Sequence, residues 1–314
     1  MNLLQLLNER TVSTDSIEKR ERITVKRERI QKVVSKEEML VRKNIERVRD
    51  FYKQDHKNRE IIAKDDKALN NLVLKATWVT VVPYSTTDKK GVVSKGYYIR
   101  SKADNYLYMS VTLGNKKLKQ HGNKTFLIFN LLQKTTCPYA TAACLKFCYA
   151  DKGTVSWAPA VHGRARNTAV AMLSNFAELL QMVINRAKNE YEDITFRWHE
   201  SGDIFSKKYF NKMVSVMANN PTIRFGIYTK SLFVLEANIQ LPNASIRYSL
   251  DDTTPGEIVK KVRDKNYPTF IAIDGEVVND LNVKPYKICM GDCTHCRKCY
   301  ITHENLLDII CPIH

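Results

Sequence analysis

The stretch Ile194-Thr-Phe-Arg-Trp-His-Glu200, closed by Ser201-Gly202-Asp203, decides the architecture. It is a short run rich in aromatic and β-branched residues that stops at a small, polar turn, which is the pattern of a buried strand. A helical pattern, Lys207 to Asn219, follows it. The same unit then recurs. Arg224-Phe-Gly-Ile-Tyr-Thr229 ends at Lys230-Ser231 and leads into a short helix, Phe233 to Ile239. Ala244-Ser-Ile-Arg-Tyr-Ser-Leu250 ends at Asp251-Asp252 and leads into a helix from Pro255 to Lys265, before a further strand, Thr269-Phe-Ile-Ala-Ile273. Repeated βα units specify an α/β fold with a parallel sheet, and crossovers of one hand curl it toward a full or partial TIM-like (β/α) barrel. In such a barrel the polar strand ends share one face, where active sites lie.

Upstream, the apolar run Phe126-Leu-Ile-Phe-Asn-Leu-Leu132 reads as another buried strand. It feeds Cys137-Pro-Tyr-Ala-Thr-Ala-Ala-Cys144-Leu-Lys-Phe-Cys148. Three thiols in one loop after a strand bind a soft metal, form disulfides or lie inert. A disulfide framework belongs to small secreted chains, which this is not. Three loop thiolates suit an iron–sulfur cluster and leave one iron without a local ligand. A second group, Cys289-Met-Gly-Asp-Cys293-Thr-His-Cys296-Arg-Lys-Cys299, has C-x3-C-x2-C-x2-C spacing, and Cys311 follows it. Such spacing wraps one centre, either a second [4Fe–4S] cluster or tetrahedral zinc, with Gly291 permitting the sharp turn. The expectation is a centre of its own at Cys289, Cys293, Cys296 and Cys299. The alternative is that one of these cysteines completes the first cluster. His295 and His303 are weaker candidates as ligands.

The first 75 residues differ in kind. They contain neither glycine nor proline, and charges of both signs alternate with Ile, Val and Leu. Ser35-Lys-Glu-Glu38 has the form of a capping box, and Leu40, Val41, Ile45, Val48 and Phe51 then recur near helical spacing. At least two helices are expected here, as a basic arm, a dimerisation element or a charged extension with a solvated face. Trp78–Val82, Tyr97–Arg100 and Tyr106–Val111 read as a small antiparallel sheet separated by polar turns, with a basic loop from Lys116 to Lys124 after it. The organisation is therefore 1–75, a helical extension; 76–125, a β-rich segment; 126–280, the βα core; and 281–314, a cysteine-rich segment.

The chain has 314 residues, 44% hydrophobic and 26% charged, with a net charge of +17 and a pI near 9.4. That balance favours a polyanionic partner such as nucleic acid. No apolar run is long enough to span a membrane, and MNLLQLLNER is too short and too quickly charged for a signal peptide. Eight cysteines without a secretion signal point to a reducing cytoplasm. Arg164 and Arg166 precede a long helical pattern, Thr168 to about Asn189, and are candidates for holding phosphate at its N-terminus. No Ser/His/Asp set, phosphate-binding loop or dinucleotide fingerprint is present. His199 and Glu200 are neighbours on the expected strand, so at most one faces a barrel interior.

The Cys137–Cys148 loop with Tyr149-Ala150, Trp198-His-Glu-Ser-Gly-Asp203, Tyr228-Thr-Lys-Ser231 and the terminal cysteine run together resemble the phage "gene product 88" family, over roughly Phe126 to Tyr300. That resemblance implies a phage- or plasmid-encoded protein working in the cytoplasm of a host cell. At one remove the layout is similar to radical S-adenosylmethionine enzymes. These carry a cysteine loop after the first barrel strand, with an aromatic residue before the last cysteine, where Phe147 stands here. They also have a glycine-rich acidic turn, matched by Ser201-Gly202-Asp203, and a later Ser-Leu-Asp strand end, matched by Ser249-Leu-Asp251. The spacing here is C-x6-C-x3-C, against C-x3-C-x2-C in that superfamily. The similarity implies a [4Fe–4S] cluster on Cys137, Cys144 and Cys148, with Phe147, Tyr149, Ser201, Gly202, Asp203, Lys230, Ser249 and Asp251 around S-adenosylmethionine. Phe147 and Tyr149 would flank the adenine, and Asp203 would take the amino group. The rival expectation is a non-catalytic, metal-stabilised nucleic-acid-binding or regulatory protein, with iron–sulfur or zinc as its metal.

Overall fold

The computed structural model describes residues 34–55, 71–87, 91–115, 118, 121–152, 156–273, 286–300 and 307–312. The first helix, α1 (Lys36–Asp55), starts where the capping pattern placed it, with the Ser35 hydroxyl accepting from the Glu38 amide at 3.1 Å. Val41, Ile45 and Val48, spaced by helical turns, enter the main core. Arg42 joins α1 to the sheet, donating to both Asp104 carboxylate oxygens (2.7 and 3.0 Å) and to the Tyr108 hydroxyl (2.9 Å). The helix is thus docked on the core rather than left as a solvated extension. The second expected helix falls outside the described residues.

Four antiparallel strands follow: β1 (Val79–Thr87), β2 (Val93–Ser101), β3 (Leu107–Leu113) and β4 (Lys124–Phe129). From β4 the direction of pairing changes. After the short α2 (Ala142–Lys146) come α3 (Ala158–Met172), α4 (Phe176–Lys188), β5 (Asp193–Trp198), α5 (Lys207–Ala218) and β6 (Arg224–Thr229). They are followed by α6 (Leu232–Ala237), β7 (Ala244–Asp251), α7 (Gly256–Asp264) and β8 (Thr269–Ile273). Strand β9 (Tyr286–Ile288), α8 (Cys293–Cys296) and β10 (Asp308–Pro312) complete the set.

All ten strands form one sheet in the order β1-β2-β3-β4-β5-β6-β7-β8-β10-β9, parallel from β4 onward. The sheet is open, so a full TIM barrel is not formed. The expected small antiparallel sheet is not a separate layer: β4 pairs with β3 on one side and β5 on the other, making it continuous with the parallel part. The cysteine-rich segment likewise adds two strands that no sequence pattern announced.

Alternation along the strands explains the layers. Leu127 and Phe129, Phe196 and Trp198, Phe225 and Ile227, and Ile246, Tyr248 and Leu250 point into one core with residues of α3 to α7. Consecutive parallel strands joined by crossovers of one hand put the connecting helices α3 to α7 on that face. The opposite face carries Phe126 and Ile128, Arg197, Gly226 and Tyr228, and Arg247. A closed barrel would bury this face against itself. Here Leu118 and Tyr300 cover it, packed with Cys293 and Cys299. Gly226 is the seat for Tyr300, since a Cβ there would lie 2.3 Å from a ring carbon.

The expected helix from Thr168 to Asn189 is two helices, broken at Leu173–Asn175, where extended Leu173 ends α3. The first of these starts at Ala158, so Arg164 and Arg166 lie inside it rather than at its N-terminus. Strand β5 stops at Trp198, and His199 takes a left-handed conformation (φ 55°) that turns the chain. His199 and Glu200 are therefore not strand neighbours. His199 is buried against Tyr209, with Nε2 2.8 Å from the hydroxyl. Glu200 turns toward Asn115 and Asn130, accepting from both side chains.

Two predictions follow from the layers. Gly226→Val pushes Tyr300 off its seat, with an expected cost of about 1–3 kcal/mol. Urea unfolding measures this, and Tyr300→Ala in the same chain should remove most of the penalty. A full penalty in the double variant would contradict the seat. Burial also lowers the His199 pKa to about 3, against about 6.5 in an unfolded chain. Unfolding then takes up a proton between those values, so this contribution to stability is complete above pH 6.5 and is lost as pH falls toward 3. Asp203, raised to about 6, acts in the opposite sense at lower pH, so the test is a difference. The stability advantage of the wild type over His199→Gln should shrink by roughly 1–3 kcal/mol between pH 7 and pH 4. A constant difference would contradict the neutral, buried imidazole.

Candidate metal centres

The first site is built at the carboxyl ends of β4 to β7. Its floor is a polar stitch between strand ends. Asn130 accepts from the amides of Glu200 and Ser201, and Leu131 donates its amide to the Ser201 carbonyl (2.9 Å). The Ser201 hydroxyl donates to the Leu131 carbonyl and accepts from Arg164. Gly202 is required twice over: φ is +80°, and a Cβ would meet Thr136 and Leu131 at 2.5 and 2.7 Å.

Asp203 is the hub between β5 and β6. One carboxylate oxygen accepts from the Thr229 hydroxyl (2.7 Å) and the Ile204 amide (2.6 Å), and the other from the Lys230 amide (2.9 Å). Burial pushes its pKa up to about 6 against those hydrogen bonds. Both oxygens thus accept hydrogen bonds from within the protein, which fixes the carboxylate between the two strand ends. Lys230 continues the chain of contacts, with Nζ donating to the Ser249 carbonyl (3.0 Å) and to Asp251 (2.7 Å). Asp251 also accepts from the Thr141 hydroxyl, from the Thr253 amide and hydroxyl, and from the Thr254 hydroxyl. Burial works against its charge, but Lys230 holds the carboxyl below its ordinary range.

Thr141 caps α2, its hydroxyl accepting from the Cys144 amide (3.3 Å). The Asp251–Thr141 contact, with Ala143 donating to Thr253 (2.9 Å), fixes the cysteine loop on the end of β7. Cys137, Cys144 and Cys148 stand close enough that each of the other two would disfavour ionisation of Cys137. Burial raises all three, Cys144 to about 11 while Lys230 pulls it down. The thiols are therefore neutral, and a metal entering here must displace their protons. No disulfide joins any of the eight cysteines.

The remaining expected residues fall around this centre. Phe147 ends α2, flanked by the ammonium groups of Lys146 and Lys152, and Tyr149 is exposed. Arg164 is buried, with its charge facing Cys148, Asp151 and Tyr52. Arg166 is half-buried against Tyr98 and Tyr106, and burial lowers its pKa. These two arginines belong to the interior around the first site and the neighbouring sheet. Thr136 and Thr141 were missed by sequence reasoning. Only their positions, at the capping residue and beside polar strand ends, could have marked them.

The second site is a cavity lined by Cys289, Cys293, Cys296 and Cys299 together with Arg297 and Tyr300. Asp292 caps α8, and its carboxylate also binds the exposed His295 at Nδ1 (2.7 Å), a residue that does not line the cavity. Gly291 has φ +74°, the turn its place in the motif demanded. Cys311 lies on β10 opposite Ala272, outside the cavity lining. His303 lies outside the described residues. The two cysteine groups occupy different places, one at the strand ends and one on the face opposite the helices. Among the described residues no three Cys, His, Asp or Glu side chains already stand at the spacing that grips a single metal ion. The donor sets fit in chemistry: three soft ligands at the first site and four at the second. No described helix is long and apolar enough to cross a membrane.

Neither the curated proteins nor the solved structures contain a significant match to this chain. Among protein families, gene product 88 matches residues 108–301, from β3 through the second cysteine group and well over half of the chain. The protein belongs to the gene product 88 family.

Proposed function

We propose that the protein is an iron–sulfur protein whose Cys137, Cys144 and Cys148 hold a [4Fe–4S] cluster, in a site of the kind radical S-adenosylmethionine enzymes use. The observation that carries this reading is the meeting of the three loop thiols with Asp203, Lys230 and Asp251 at the ends of successive parallel strands. Three thiolates leave one iron for an exogenous ligand. When bound, the cluster supplies single electrons. The chain's part is to orient and to exclude water. Asp251 and Thr141 hold the loop in register, Asp203 fixes the β6 end, and Lys230 and Arg164 set positive charge beside a centre that carries negative charge. Exposed Tyr149 and the ring of Phe147 are surfaces on which an adenine could stack. The second cysteine group is a separate metal centre, iron–sulfur or zinc.

Anaerobic reconstitution with iron and sulfide tests both centres. The expected product is brown, absorbing near roughly 400 nm. Cys144→Ser should lose the first cluster, whereas Cys296→Ser with Cys299→Ser should remove only one centre's metal. Loss of all iron in the latter, still folded, would join the two groups into one site. Reduction in the presence of S-adenosylmethionine should yield 5′-deoxyadenosine. Neither that product nor a cofactor-dependent change in the EPR spectrum would leave the cluster without this chemistry.

A second reading, a metal-stabilised nucleic-acid-binding or regulatory protein, is favoured by the net charge of +17. It predicts DNA or RNA binding that weakens steeply with salt, because phosphate contacts release counterions. Fluorescence anisotropy from low to physiological salt checks it, and a flat response would dismiss it.

A further inference from the structure

Two arginines stand in the middle of apolar strands, Arg197 in β5 and Arg247 in β7, both on the face opposite the helices. Arg247 is 2% exposed. It donates to the backbone carbonyls of Leu307 (2.7 Å) and Lys298 (3.2 Å). The Arg197 guanidinium lies 3.6 Å over the ring of Tyr228 and hydrogen-bonds Tyr300. The buried Nε of each has no hydrogen-bond partner. Among the described residues neither guanidinium has a carboxylate within 4 Å, although Glu200 attracts Arg197 through space. Other cations do have one: Arg263 meets Asp308 and Lys230 meets Asp251, both at 2.7 Å. A guanidinium withdrawn from water is costly without a close anion, so two of them on one face, neither in contact with a carboxylate, call for an anion between them.

The group they face is Cys299. Arg247 donates to the carbonyl of Lys298, the residue before it, Arg197 hydrogen-bonds Tyr300, the residue after it, and the Cys299 thiol takes a hydrogen bond from Tyr228, the ring over which Arg197 lies. Cys289, Cys293 and Cys296 line the same cavity. The nearby charges from other elements are Arg297, which is paired with Asp193, together with Lys287, Lys298 and the His295-bound Asp292. Four thiolates on zinc, or on an oxidised [4Fe–4S] cluster, carry a net formal charge of about −2.

We infer that Cys289, Cys293, Cys296 and Cys299 hold a dianionic metal–thiolate centre whose counter-charges are the half-buried Arg197 and the buried Arg247. The inference rests on the separate second centre proposed above. The arginines are positioning residues: they take no part in ligation and set the charge against which the metal binds. The centre in turn balances the two cations and fastens the cysteine segment to the sheet.

The test uses the full chain, loaded anaerobically with zinc or with iron and sulfide. Metal analysis and acid-labile sulfide distinguish the two fillings. Arg197→Met and Arg247→Met should each lose the Cys296-dependent metal to a competing chelator at about tenfold lower concentration than wild type. Arg197→Lys should retain it, and metal at the Cys137 loop should be unaffected. Thermal unfolding supplies a second readout that covers a poorly folding Arg247 variant. Arg197→Met should lower the midpoint of the loaded protein but leave that of the metal-free protein equal or higher. Wild-type chain that binds no Cys296-dependent metal overturns the second centre, and the inference with it. A centre retained at wild-type affinity in Arg197→Met, with both midpoints moving the same way, overturns the counter-charge role alone.

Discussion

The carboxylate of Asp251 is the contact on which the first site depends. It closes the end of β7, neutralises the ammonium of Lys230 and takes the hydroxyl of Thr141, which caps the helix carrying Cys144. One side chain therefore couples strand register to the placement of the cysteine loop. A charge-assisted hydrogen bond in a buried setting is worth more than a neutral one, and losing one partner leaves the other charged and uncovered. Asp203 repeats the device one strand earlier, with backbone amides of its own turn and of β6 as donors. The strand ends are thus held by carboxylates as well as by packing.

The repeated βα units were legible because each strand is short, apolar and stopped by small or charged residues, and the structure keeps Arg224–Thr229 and Thr269–Ile273 at the bounds read from sequence. Closure was not legible. Alternation gives which residues share a face but not how far the sheet curls, and Tyr300 on Gly226 covers a face that a closed barrel would have covered by itself. The break at Leu173–Asn175 was missed because apolar spacing continues through it from Val170 to Leu179. Strand β9 was hidden by its brevity, since three residues give no period to read, and β10 by the proline at its end, which does not read as strand.

At the site, the motif cysteines and polar strand ends were visible because their residue types are costly to keep without a use. Their partners were not. Thr141 and Thr253 look like ordinary loop residues until the fold brings carboxylates to them. The hydrogen bonds that hold Asp203, from Thr229, Ile204 and Lys230, likewise come from residues brought to it only by the fold. Arg197 and Arg247 were treated as part of strand patterns, although a guanidinium amid apolar neighbours was itself a signal that something negative belongs nearby.

The strand order has a consequence for how the chain assembles. Among the described residues strand β9 pairs with β10 alone, and β10 enters between β9 and β8. The second cysteine group lies on the connection between these two strands, so its ends are clasped only after the latest strand in sequence has slotted into place. Parallel, non-local pairing of this sort is slow to form because the loop must close before any hydrogen bond rewards it. During synthesis the four thiols therefore emerge on an unclasped tether while the rest of the sheet is already competent to pair, and the sheet edge at β8 stays open to foreign strands until the tether docks.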